Sequence, residues 1–218
     1  MYSMQNLIRR LLPAAAAFLA AISLSAAAQP TAVEEGNQFL RLKAAQPVET
    51  GKKIEVVEFF SYGCPHCGDL EPILQGWIKT VPPDVQFRRV PVMFQDRWVS
   101  LAKVYYTLEA LGEEARLTPA VFNAVHQKGM SLWQDKTFFD WAASQGLDRK
   151  KVEDMYNSFA ISGKVNRARS AAAAYQVQSV PLVVVDGKFV TNRVSSHAAM
   201  PGVIDALIVK ARAERPKG

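Results

Sequence analysis

The only two cysteines of this 218-residue chain, Cys64 and Cys67, stand where the sequence changes period. Before them, KKIEVVEFF (52–60) is a run of β-branched and aromatic residues that reads as a buried strand. After them, Leu70, Ile73, Leu74, Trp77 and Ile78 recur at the spacing of one helical face. Pro65 suits the first helical position, where its missing N–H costs nothing. Cys64 is therefore predicted at a strand-to-helix junction, on the positive end of the helix, where the thiolate is favoured over the thiol. Cys67 follows about one turn later and is expected to be more buried. Pro72 is expected to kink the helix. DVQFRRVPVMF (84–94) reads as the next strand, which makes a β-α-β unit with a parallel pair.

The amino terminus reads as an address. Arg9 and Arg10 precede the apolar run LLPAAAAFLAAISLSAAA, which ends in small residues. That order describes a secretory signal peptide over residues 1–28, with cleavage predicted between Ala28 and Gln29. A retained membrane anchor is the alternative for a run of this length. Removing two arginines and no acids takes the formal charge from +6 to +6 − 2 = +4. Lys and Arg are scattered, in short runs such as Arg88-Arg89, so a nucleic-acid partner is not expected.

Export sets the options for the cysteine pair. A structural staple gains little from so short a loop. A structural zinc site needs four ligands, and the chain offers two cysteines and three histidines (His66, His126, His197). Copper held by soft thiolates remains an alternative. A redox-active dithiol is the preferred reading, with no metal and no cofactor expected.

Further along, residues 97–176 look wholly helical. Thr118-Pro119 is expected as a helix start, Gly146 as a stop and Asp148 as another N-cap. The large apolar residues of this block, among them Leu101, Tyr105, Phe122, Phe138 and Trp141, are expected in the core. SVPLVVVDGKFVTN (179–192) reads as a hairpin around Asp186-Gly187. A terminal helix follows, with Ser196 as its N-cap and Val203, Ile204, Leu207 and Ile208 on one face.

A strand, a C-x-x-C at a helix start, a proline five residues after the second cysteine and a late proline before a hairpin resemble thioredoxin. VEFFSYGCPHC, the helical block after the second strand and SVP make the chain similar to the DsbA dithiol oxidases in particular. The resemblance implies an α/β thioredoxin fold, a central mixed sheet flanked by helices, with an inserted all-helical domain. Residues 29–96 and 177–218 would form the thioredoxin-like part, and residues 97–176 the insertion with its return helix. It also implies a periplasmic enzyme that donates a Cys64–Cys67 disulfide to reduced, newly exported proteins. A monomer is expected, reoxidised by a DsbB-like inner-membrane quinone reductase. Pro65 and His66 would tune the dithiol, His66 by setting an imidazolium beside the Cys64 sulfur. By the same resemblance Val180-Pro181 is cis and offers backbone to an extended substrate. Glu58 would pass protons to and from Cys67, with Arg89 as its basic counterpart. His126 and His197 carry no signal. A reductase or isomerase of the same fold, or a copper chaperone, is the alternative.

Overall fold

The computed structural model describes residues 33–215, so the signal-peptide assignment and its cleavage after Ala28 lie outside the described residues. Five strands form one mixed sheet: β1 (Phe39–Arg41), β2 (Ile54–Phe60), β3 (Val85–Pro91), β4 (Leu182–Val185) and β5 (Phe189–Thr191), in the order β1-β5-β4-β2-β3. β2 runs parallel to β3 and antiparallel to β4, and all seven of its residues are buried. Its IEVVEFF sequence suits that place, since a central strand is covered on both faces. The register sets Glu58 beside Arg89 of β3 and Val183 of β4. The short edge strand β1, unforeseen in the sequence, pairs with β5.

The β-α-β unit is as expected. Helix α1 (Pro65–Ile78) starts with Pro65 and connects β2 to β3, running through Pro72 without a break. The hairpin β4–β5 turns at Asp186 and Gly187, whose φ values of 54° and 63° are both positive, as a type I′ turn requires. A side chain in place of Gly187 would put its Cβ 2.2 Å from the Gln46 carbonyl oxygen, so this turn needs glycine twice over.

Between β3 and β4 lie α2 (Asp96–Ala110), α3 (Glu114–Phe122), α4 (Asp135–Ser144), α5 (Arg149–Tyr156) and α6 (Phe159–Ala174). Asp148 caps α5 through the Lys151 N–H, and Gly146 follows α4 at φ 87°. The expected helix start at Thr118-Pro119 is wrong. α3 begins at Glu114, in a Glu113-Glu114 pair that suits the positive helix end, and it runs through Pro119. The Thr118 hydroxyl is engaged with Tyr62 and Glu114 instead of capping a helix. Immediately after, Asn123–Gln127 widens into a π-helical turn. At the carboxyl end, Ser196 caps a 3₁₀ turn, His197–Ala199, that leads into α7 (Met200–Glu214).

The sheet separates two apolar cores. On one face Ile54, Val56, Val183 and Phe189 pack against Leu70 and Leu74 of α1 and Ile204 and Leu207 of α7. On the other, Val57 and Phe59 meet the helical block through Leu101, Val104, Leu108, Phe138 and Tyr156. Past α7, Arg215 closes the chain end onto the sheet. Its guanidinium donates to the buried Asp186 carboxylate and to the carbonyls of Lys52 and Lys53.

Phe138, fully buried among Phe139, Trp141 and Tyr156, anchors the helical block. Phe138→Ala is expected to cost about 3–5 kcal/mol, read as a lower denaturant midpoint at unchanged slope.

Candidate active site

The last residue of β2 hands the chain to a tight turn. The Cys64 N–H donates to the Ser61 carbonyl at 3.0 Å, and the Gly63 N–H to the Ser61 hydroxyl at 3.1 Å. Trp98 of α2 lies over the turn so closely that a Cβ on Gly63 would sit 2.2 Å from its Nε1. Only glycine fits there. Cys64 is thereby held as the N-cap residue of α1, with Pro65 first in the helix.

Cys64 keeps 6% of its surface and Cys67, inside the first turn, has none; both are free thiols. The Cys67 thiol donates to the Cys64 sulfur and favours its anion, and the backbone N–H groups of Cys67 and His66 and the His66 charge act the same way. Burial opposes them, yet the Cys64 pKa is lowered to about 6. Cys67 moves oppositely. Burial pushes its thiol above the ordinary range, reinforced by its bond to Cys64 and by the neighbouring Glu58 carboxylate.

Glu58 lies behind Cys67, 1% exposed. Burial raises its pKa, and the Arg89 guanidinium 2.8 Å away offsets only part of that. Arg89 also reaches Glu71, four residues after Cys67 on α1, at 2.7 Å, and Glu114 of α3 at 2.6 Å. Burial pushes Glu71 up to about 7. Glu71 was absent from the sequence reading. Its spacing of four from Cys67, which puts both on one helix face, was the signal for it.

The Val180–Pro181 bond is cis, and the Cys64 sulfur lies 3.5 Å from the Val180 carbonyl oxygen. His66 points outward, its Nδ1 3.7 Å from an Asp69 carboxylate oxygen. Its ring stands 6.1 Å from that of His197, across a cavity of about 580 Å³ lined by Pro181, Asn192, Val194 and Met200. His126 reaches back to the Tyr62 carbonyl at 2.8 Å, beside a second cleft of about 260 Å³ lined by Pro65, Pro72, Pro119 and Phe122. Both histidines that the sequence left unassigned thus stand near the dithiol, brought there by a 3₁₀ turn and a π turn that leave no periodic trace. Among the described residues, no group of three or more His, Cys, Asp or Glu side chains is arranged to hold a metal.

Such a pair can exchange disulfides. A sulfur with a stabilised anion keeps a small exposed area and a protonated one lies fully buried behind it, on a sheet and helix of thioredoxin type. The class is a thiol:disulfide oxidoreductase. A DSBA-like thioredoxin domain matches residues 84–199. The chain is 40% identical over 183 residues to the thiol:disulfide interchange protein DsbA of Burkholderia cepacia, covering 84% of this chain and 86% of that one. The corresponding protein of Pseudomonas aeruginosa PAO1 is 41% identical over 174 residues, 79% of this chain and 82% of its own. The crystal structure of Pseudomonas aeruginosa DsbA superposes with a TM-score of 0.79 at 38% identity, covering 82% of this chain and 94% of that chain. The chain belongs to the DsbA-like thioredoxin family.

Titration of the reduced protein, followed by thiolate ultraviolet absorbance, is expected to show Cys64 ionising near pH 6. His66→Gly is expected to move that midpoint upward, because the His66 charge favours the anion. An unchanged midpoint would leave the Cys67 hydrogen bond and the backbone N–H groups to hold the thiolate alone.

Proposed function

We infer that the protein is a periplasmic dithiol oxidase that donates a Cys64–Cys67 disulfide to reduced, newly exported proteins. The observation that carries this reading is the opposite displacement of the two thiols, Cys64 toward the anion and Cys67 toward the protonated form. A disulfide whose reduced form is stabilised in this way is a strong oxidant.

The exchange runs in two displacements. A substrate thiolate attacks the Cys64 sulfur, the substrate–Cys64 bond forms, and Cys67 leaves and takes a proton, with Glu58 as the nearby donor. A second substrate thiolate then attacks the substrate's own sulfur, and Cys64 leaves as the thiolate. The substrate has lost two electrons and a disulfide has formed in it; the enzyme's disulfide is reduced to the dithiol. Pro65 contributes by starting the helix, and His66 by stabilising the departing Cys64 anion. The Val180 backbone, next to the Cys64 sulfur, is placed to pair with an extended substrate segment, with Pro181 beside it.

Residues 1–28 would direct export and be removed after Ala28, and the protein would act as a monomer. Turnover needs an oxidant for the dithiol, a role suited to a DsbB-like membrane quinone reductase.

Cys64→Ser is expected to abolish oxidation of a reduced model protein. Cys67→Ser is expected to accumulate mixed disulfides through Cys64, visible by non-reducing electrophoresis. Faster iodoacetamide labelling of Cys67 than of Cys64 would reverse these roles.

The reduced protein is also expected to be more stable than the oxidised one at neutral pH. The Cys64 pKa is depressed on folding, so its contribution is full above the unfolded cysteine value of about 8.5. That contribution is lost as pH falls through about 6. Denaturation of both redox forms tests it, and a higher midpoint for the oxidised form would point to a reductase.

A further inference from the structure

Arg89 gathers carboxylates from three elements. Its Nε donates to Glu58 of β2 at 2.8 Å, one Nη to Glu71 of α1 at 2.7 Å, and the other to Glu114 of α3 at 2.6 Å. The Glu58 and Glu71 side chains are 1% and 3% exposed, whereas Glu114 keeps 22% of its surface and so meets water. Three ionised carboxylates around one guanidinium would leave two uncompensated negative charges beside a buried thiol. Such a group retains protons, and they reside on its most buried members.

We propose that Glu114 is a positioning residue for the dithiol: through Arg89, its carboxylate sets how firmly Glu58 and Glu71 hold the proton that Cys67 takes up. This deepens the oxidase reading and rests on Cys67 as the thiol that leaves first.

The three carboxylates share one guanidinium charge. With Glu114 ionised, part of the Arg89 field is spent on it, and its own negative charge repels ionisation of the two buried acids. Without that charge, Arg89 serves Glu58 and Glu71 alone, and both release their protons more readily. Glu58 is then ionised behind Cys67, where it has no proton to give and disfavours the Cys67 anion.

Among the other groups facing the cluster, Glu109 of α2 lines the same cleft as Arg89 and Glu114. Tyr105 of α2 donates to the Arg89 carbonyl at 3.4 Å. The Tyr62 hydroxyl joins Thr118 at 2.8 Å, and Thr118 donates to Glu114 at 3.3 Å. Burial raises both phenols, which stay protonated through the neutral range. Gln75 donates to Glu71, and β4 sets the apolar Val183 against Glu58.

The test compares wild type with Glu114→Gln, which keeps an oxygen for Arg89 and removes the charge, and with Glu114→Asp, which keeps the charge. Each oxidised protein reacts with a reduced cysteine peptide from about pH 5 to about pH 9, spanning carboxyl and thiol titrations. Dividing variant by wild-type rate cancels the peptide's own ionisation. For Gln the ratio is expected near unity at the acid end and about tenfold lower on the alkaline side, a displacement of about one pH unit. The Asp variant is expected to stay closer to wild type. A ratio that does not vary with pH, at whatever level, overturns the proposal and leaves the oxidase reading standing. Wild type that fails to oxidise the peptide overturns that reading instead. Carboxyl-carbon NMR gives a second readout besides activity. The Glu58 and Glu71 signals are expected to titrate at lower pH in Glu114→Gln than in wild type, since the Glu114 charge raises both in wild type, and unchanged midpoints overturn the proposal as well.

Discussion

The site depends on a thiol that cannot ionise cheaply. Cys67 has no exposed surface, and a bare anion there would lose its water without replacement. It therefore keeps its proton and donates it as a hydrogen bond to Cys64, and that bond is the largest influence lowering the Cys64 pKa. One buried thiol thus makes the other reactive. The same burial gives a displaced Cys67 a need for a proton, and Glu58, buried with a raised pKa, is the residue proposed to supply it.

The sheet makes that arrangement possible. β2 carries Glu58 into the same core face as α1, and β3 lies parallel beside it in a register that sets Arg89 opposite. Arg88, next to Arg89 on β3, pairs with Glu55, three residues before Glu58 on β2, on the other face because side chains alternate along a strand. The helical block then closes the site from outside. α2 puts Trp98 over the active-site turn, and α3 brings Glu114 to Arg89 and Thr118 to Tyr62.

Much of this was legible in the sequence because it is local or periodic. The strand and helix flanking Cys64, the Pro65 start, the Asp186-Gly187 turn and the Asp148 and Ser196 caps each follow from a few adjacent residues. What escaped depends on distant parts of the chain meeting. Thr118-Pro119 resembled a helix start because those residue types favour one, but the hydroxyl is taken by Tyr62, some fifty-six positions earlier. β1 has three residues, paired in the sheet with β5, which lies some 150 positions further along the chain. Glu71 carried a spacing signal from Cys67, whereas Glu114, His126 and His197 carried none, since their relation to the dithiol is made only by tertiary packing.

The Arg215 contact has a consequence for where the polypeptide can be shortened. The buried Asp186 sits at the tip of the β4–β5 hairpin, and Arg215 joins that carboxylate to the backbone just ahead of β2. The residue after α7 therefore fastens the strand that leads to Cys64. A protein cut before Arg215 would keep every helix and strand of the described residues, yet among them it would leave Asp186 only Lys188 as an ion-pair partner and the Lys52–Lys53 carbonyls without this donor. The carboxyl-terminal boundary of the folded unit is set by a side chain beyond the last helix.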